Sequence, residues 1–282
     1  MTTSKDTPLT LDLEILESLV FAAFQHQFES SIKNFKPEEF RNLFDSYKED
    51  VTSLLLRKYD EGILLIQIGE THDSQKKHAL VKDNLLYLKE KGLLHLCLEF
   101  EHTFQKTYDS YVSTGEESYL QKIIERERIL AERGYPADSR IDSGYFDILR
   151  EAKRIDLRVH FVDSDFDNLD PSAEMRDPEM ALRIPKNEKA LFYCGELHLP
   201  TTKIHIQKIS SAYPVFTIGQ IEKGDKVQKI ISNALEEKRY VKPYALDLNL
   251  HEDIREIFKK GLVNEYRHFD AIVCHTSEKQ MH

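Results

Sequence analysis

No apolar run in this sequence approaches the ~18 residues that a membrane-spanning helix requires. Net positive charge is also missing. The 39 lysines and arginines stand against 49 aspartates and glutamates, a balance of −10. That argues against a nucleic-acid backbone or an anionic membrane as the expected partner. Cysteine is scarce: Cys97, Cys194 and Cys274 are the three, with no C-x-x-C spacing. A zinc ribbon and a thioredoxin-type redox site are thereby excluded. Each cysteine lies inside or ends an apolar run, which predicts buried thiols in a reducing compartment. The first twenty residues include Asp6, Asp12, Glu14 and Glu17, so a cleavable secretory signal is not expected and the cytoplasm is. A linker rich in glycine, proline or serine is missing too.

What is present is ordinary for a soluble, enzyme-sized fold: 282 residues, 40% apolar and 31% charged. The length predicts one large domain, or one domain with a helical extension. After a polar start, Phe21, Phe24, Phe28 and Ile32 fall three and four apart, the spacing of one helix face. Pro37 with Glu38 and Glu39 opens a second helix, whose apolar stripe runs from Phe40 to about Leu56. Residues 1–59 therefore read as an N-terminal helical extension packed on the remainder.

From residue 60 the pattern changes. Ile63–Ile68 is a nearly continuous apolar run, the mark of a strand buried on both faces. A helix is predicted from Lys76 to Lys91, capped by Gly92, and a second buried strand over Leu93–Phe100. Helices follow over 104–133 and 143–154, broken by Gly134-Tyr135-Pro136. Strands are expected at Leu157–Val162, Lys189–Cys194, Val215–Ile218 and Asp270–Cys274, with helices at Lys226–Glu237 and 252–260. Alternating strands and helices predict an α/β domain over residues 60–282, with a mostly parallel central sheet flanked by helices.

The chemistry is concentrated in a repeated tetrapeptide. Gly69-Glu70-Thr71-His72 follows the first strand, and Gly195-Glu196-Leu197-His198 follows a later one, 126 residues on. At this composition about 0.04 chance copies of G-E-x-H are expected. In an open α/β sheet, ligands bind beyond the carboxyl ends of the strands. Glycine there allows a close backbone approach, and a carboxylate and an imidazole from each repeat then face one crevice. Glu99, at the end of Cys97-Leu98-Glu99-Phe100, adds a third strand end. Such a set holds a divalent metal (Mn, Co or Zn) through His72, Glu99 and His198, or works as a metal-free acid/base set. The plainer reading makes Glu70 and His72 helix caps and pairs Glu99 with a surface lysine.

Ile68-Gly-Glu-Thr-His-Asp73, the Cys97–Phe100 strand end and Tyr193-Cys-Gly-Glu-Leu-His198 resemble the superfamily of ChaN-like, Tiki/TraB and erythromycin-esterase proteins, and most of all its ChaN-like branch. His78, early in the first helix, Tyr145–Arg154 with the strand after it, and His268-Phe-Asp270-Ala-Ile-Val fit the same pattern. The likeness spans roughly residues 60–278. It implies functional positions at Glu70, His72, Glu99 and His198, with Asp73, Asp163 and Glu196 as further candidates. Tiki-like members are metal-dependent proteases, erythromycin esterases open a lactone with a Glu/His set, ChaN-like members bind haem, and some toxin domains of the fold have no assigned reaction. The esterase spacing is Glu-x-x-His, from which this chain departs by one residue. The resemblance thus implies a hydrolase of ester or amide bonds acting on a small molecule or peptide, with a haem- or ligand-binding protein and a non-catalytic effector domain as alternatives.

Asp163-Ser-Asp165-Phe-Asp167-Asn168 with Glu174 imitates a calcium-loop spacing, but Asn168 replaces glycine, Pro171 takes the ninth place and a strand precedes it. Asp163 is instead assigned to the crevice, and the other acids to a solvated loop. Cys194 and Cys274 read as buried thiols rather than nucleophiles, because acidic strand ends oppose a thiolate. Tyr108, Tyr111 and Tyr193 read as packing rather than haem ligands. The run Lys122–Arg133, alternating in sign, reads as a salt-bridged solvent face.

Overall fold

The computed structural model describes residues 37–70, 74–133, 144–167, 173–210, 213–221, 242–251 and 269–275. The helix expected around Phe21–Ile32, the Gly134–Pro136 break, the helices at 226–237 and 252–260, and His72 and Asp73 lie outside these residues. The described helices are α1 (Pro37–Tyr47), α2 (Val51–Asp60), α3 (Gln75–Glu90), α4 (Gln105–Thr114), α5 (Glu117–Glu132), α6 (Tyr145–Arg154), α7 (Ala173–Arg183) and α8 (Leu199–Ile209). The strands are β1 (Glu49–Asp50), β2 (Leu65–Glu70), β3 (His95–Glu101), β4 (Arg158–Asp163), β5 (Ala190–Gly195), β6 (Val215–Ile221), β7 (Tyr244–Asp247) and β8 (Ala271–Cys274).

The eight strands form one sheet in the order β1-β7-β8-β6-β2-β5-β3-β4. β7 runs antiparallel to both its neighbours, and the other pairs are parallel. The α/β class and mostly parallel sheet are as the sequence predicts. Alternation along the strands builds two cores. Ile66, Ile68, Leu96, Leu98, Phe100, Val159, Phe161, Leu191 and Tyr193 face one layer, packed with side chains of α2 to α6. Leu65, Cys97, Val162, Phe192 and Cys194 face the other, with Phe44 of α1, Met180 and Ala181 of α7, and Leu199 and Ile206 of α8.

Several elements depart from expectation, each for a local reason. The stripe from Phe40 to Leu56 is two helices. Asp50 ends the short β1, which pairs with β7, and its carboxylate accepts the Ser53 N–H at 3.1 Å to cap α2. Residues 104–133 divide at Gly115, whose φ of 76° closes α4. Between β4 and β5, α7 stands where a loop of acids was expected; Pro178 lies inside it and disguises the helix in the sequence. The run from Lys122 to Arg133 is not wholly a solvent face. Glu127 is buried, and Arg126 reaches the end of β3, donating to both Glu101 oxygens at 2.5 and 2.8 Å. No helix among the described residues is long and apolar enough to cross a membrane.

Candidate functional site at the carboxyl edge of the sheet

Parallel strands carry their last residues to one rim, and in this sheet those residues are acidic. β2 ends in Glu70, β3 in Glu99-Phe100-Glu101, β4 in Asp163, and β5 runs into Glu196. Glu70, Glu99, Glu101 and Asp163 are all at most 2% exposed. The β3–β4 register shifts between Leu98 and Glu101. Such an irregularity turns strand-end side chains away from the regular ladder.

Around Glu99 the structure assembles a closed network. One carboxylate oxygen, Oε2, accepts the Gly195 N–H at 2.7 Å. The other, Oε1, accepts from Arg176 Nη2 at 2.8 Å and lies 3.4 Å from His198 Nε2. His198 Nδ1 meets Asp177 Oδ1 at 2.5 Å. Arg176 extends the network to Asp163, with Nε to Oδ1 at 2.9 Å and Nη2 to Oδ2 at 2.5 Å, and its guanidinium stacks 4.9 Å from the centre of the Phe166 ring. Burial pulls the His198 imidazole toward neutrality, but the Glu99 charge and the Asp177 hydrogen bond outweigh it and hold the pKa at about 10. The charged ring is thus favoured, with Nδ1 bonded to Asp177 and Nε2 facing Glu99.

Glu70 is in phase with Ile66 and Ile68 and so belongs to the layer opposite Glu99. Its charge is felt there by Tyr193, whose pKa is raised first by burial and then by Glu70. The Tyr193 hydroxyl and His78 Nδ1 share a 2.7 Å hydrogen bond, and Tyr145 stacks on Tyr193 at 5.3 Å. Cys194, in the layer of Cys97 and Phe192, has its thiol pushed up by burial and then by both Glu99 and Glu70.

The two repeats touch directly. A Cβ on Gly69 would lie 2.5 Å from Glu196 Cγ and 2.7 Å from Leu199 Cδ1, which explains the glycine. Gln220, on β6, joins them: its backbone N–H donates to Glu196 Oε1 at 3.0 Å, and its amide donates to the Gly69 carbonyl at 2.8 Å. That fixes the amide, so its Oε1 accepts from His275 Nε2 at 2.8 Å. Burial, then the Lys77 and Lys76 charges, push the His275 pKa down to about 3, and the ring stays neutral.

Of the residues singled out from sequence, Glu99, His198 and Asp163 form one network, Glu196 joins Gly69 through Gln220, and Glu70 lies in the opposite layer. Arg176, Asp177 and Gln220 escaped the sequence reading. Arg176 and Asp177 were hidden because no helix was predicted over residues 173–183; Gln220 carries no motif. The three cysteines are buried, with Cys274 pushed up to about 12 by burial. Tyr108 donates its hydroxyl to the Leu149 carbonyl at 3.1 Å, a packing role. In the calcium-like loop, Asp163 is bound by Arg176 and Asp167 by Arg133 and Arg126.

Among the described residues no group of three or more His, Cys, Asp or Glu is arranged to hold a metal ion. Glu99 and Asp163 already hold a cation, Arg176. Of the three ligands expected of a metal site, His72 lies outside the described residues, Glu99 is paired with Arg176, and His198 with Asp177.

A mostly parallel sheet flanked by helices makes this an α/β protein, and two solved structures agree at the level of fold. A Bacillus cereus protein matches with a TM-score of 0.56 at 10% identity, over 86% of this chain and 98% of its own. A succinoglycan biosynthesis protein matches with a TM-score of 0.55 at 10% identity, over 78% and 89%. ChaN of Campylobacter jejuni, described with cofacial haem binding, gives a TM-score of 0.45 at 12% identity, over 64% and 89%. For the first two, both above a TM-score of 0.5, the likeness is one of fold. Neither a protein-family model nor a curated protein matches the sequence.

Proposed function

We propose that this chain is a metal-independent hydrolase of ester or amide bonds, acting on a small molecule or peptide at the carboxyl rim. The observation that carries this reading is the Asp177–His198–Glu99 chain: a buried imidazolium held between two carboxylates, three residues after the glycine whose N–H fixes Glu99. A fixed positive charge in a water-poor site stabilises negative charge developing on an attacked carbonyl oxygen. In this reading His198 supplies it through the Nε2–H that faces Glu99 at 3.4 Å, and its pKa of about 10 keeps the ring charged at neutral pH. Since His198 cannot accept a proton, the base falls to His72, from the first repeat, with Glu70 tuning it. Glu99 orients His198.

The test uses p-nitrophenyl esters and a fluorogenic peptide panel. His72→Ala should abolish turnover, while thermal unfolding and circular dichroism remain those of the parent. An unchanged rate would reject the assignment. Titration with haem gives the opposing outcome: a saturable Soret band lost in His72→Ala, without any hydrolysis, would replace catalysis by ligand binding.

A further inference from the structure

Two buried carboxylates that converge on one point ordinarily read as half of a cation site. Here Glu99 is 1% exposed and Asp163 0%. The point on which they converge is Arg176 Nη2, 2.8 Å from Glu99 Oε1 and 2.5 Å from Asp163 Oδ2. Asp163 is gripped a second time by Nε at 2.9 Å, so the guanidinium meets it as a fork. The Phe166 ring covers the guanidinium. The Glu99 and Asp163 side chains come from adjacent parallel strands, and Arg176 descends on them from α7. Two carboxylates left together without a cation would repel and could not both remain ionised in such burial.

We infer that Arg176 is the resident cation of this site: its guanidinium fills the position between Glu99 and Asp163 that a divalent ion would otherwise take, and makes Arg176 a positioning residue for Glu99 and, through it, for His198. The inference deepens the metal-independent reading above and rests on it for the site's purpose, but not for the cation's place. A guanidinium does not give up its proton at any working pH, so the charge is permanent and needs no metal supply. Its geometry also differs from a metal's in a useful way. A planar fork holds each carboxylate at a fixed angle, whereas a calcium or manganese ion accepts many arrangements of oxygen ligands.

The test is a gain of function that no merely structural arginine would produce. Arg176→Met keeps an unbranched stem but is too short to reach between the carboxylates and carries no charge, leaving Glu99 and Asp163 to attract a substitute. Calorimetric titration with MnCl2 or ZnCl2 should show one more bound ion per chain in R176M than in the parent. The melting temperature of R176M should recover by about 5 °C when free metal reaches ~100 times Kd. Arg176→Lys, which keeps a positive charge, should show no gain. If R176M does not fold, Arg176→Gln takes its place in the same titration. Equal metal stoichiometry in the parent and in the charge-removed variant would overturn the inference. So would one equivalent of metal bound by the parent and lost on Glu99→Gln or Asp163→Asn. None of these readouts uses turnover, so a failure to hydrolyse any ester or peptide would count against the hydrolase alone.

Discussion

Asp177 and His198 face each other at 2.5 Å across the junction of α7 and the turn that opens α8, each nearly shut off from solvent. Neither residue is near the other in sequence, and neither alone explains its burial. The carboxylate stabilises the charge on the ring, and the ring gives a buried carboxylate its partner. Removing Asp177 breaks the shorter of the ring's two carboxylate contacts and leaves Glu99 at 3.4 Å; breaking a buried pair typically costs ~3–5 kcal/mol. Asp177→Ala should therefore lower the free energy of unfolding by about that amount, read from urea denaturation. It should also lower the pKa of the remaining imidazole, read by NMR. A stability unchanged within 1 kcal/mol would show that the pair contributes nothing net.

The pH dependence has two arms of opposite sign. His198 has its pKa raised to about 10, so its contribution is complete below the unfolded value near 6.5 and is lost as pH rises through about 10. His160 and His275 are held neutral by burial, with pKa values lowered to about 4 and about 3. The unfolded chain binds protons at those positions below about pH 6.5, so their contribution is present above that value and drains away as pH falls toward 4. Melting temperatures recorded from pH 4 to 10.5 should fall on both sides. His275→Asn should flatten the acid side and leave the alkaline side as it is.

The sequence carried the rim but not what faces it. Strand identity followed from unbroken apolar runs such as Ile63–Ile68, because a strand covered on both faces has no polar alternation to hide it. Placing Glu99 and His198 in contact needed only that strand ends share an edge. Arg176 and Asp177 were illegible for a definite reason: Pro178 and the surrounding charges resemble a loop, and the burial that creates the helix face comes from β4 and α8. β7 was missed because four residues pairing at the far side of the sheet leave almost no pattern. Glu70 followed the simple alternation rule to the layer opposite Glu99, something its position at a strand end could not reveal.

Gln220 offers a sharper test of the coupling between the two repeats. Its amide orientation is dictated by the Gly69 carbonyl, which can only accept, and that in turn dictates the His275 tautomer. Gln220→Glu should break the bond to Gly69 and place a carboxylate against His275, raising its pKa from about 3. Long-range 1H–15N correlation spectra should show the parent His275 protonated on Nε2 alone between pH 5 and 8. The variant should titrate inside that window. A parent ring carrying its proton on Nδ1 would refute the arrangement.

Gly69 supplies the last prediction, and it concerns the first repeat's glycine rather than its charged residues. The added methyl group of Gly69→Ala would meet Glu196 Cγ at 2.5 Å and Leu199 Cδ1 at 2.7 Å, inside any tolerable contact. The Glu196 side chain is not free to step aside, because its Oε1 accepts the Gln220 N–H. Leu199 is wholly buried at the start of α8. Overpacking of this kind typically costs ~1–3 kcal/mol, and the strain falls on the turn that carries His198. Gly69→Ala should therefore lose stability in that range and lose turnover by more than the fraction unfolded accounts for. Glu196→Ala removes the nearer obstacle, so the double variant should recover part of the stability lost by Gly69→Ala alone. Simple additivity of the two costs would instead show that the repeats do not press on one another at this point.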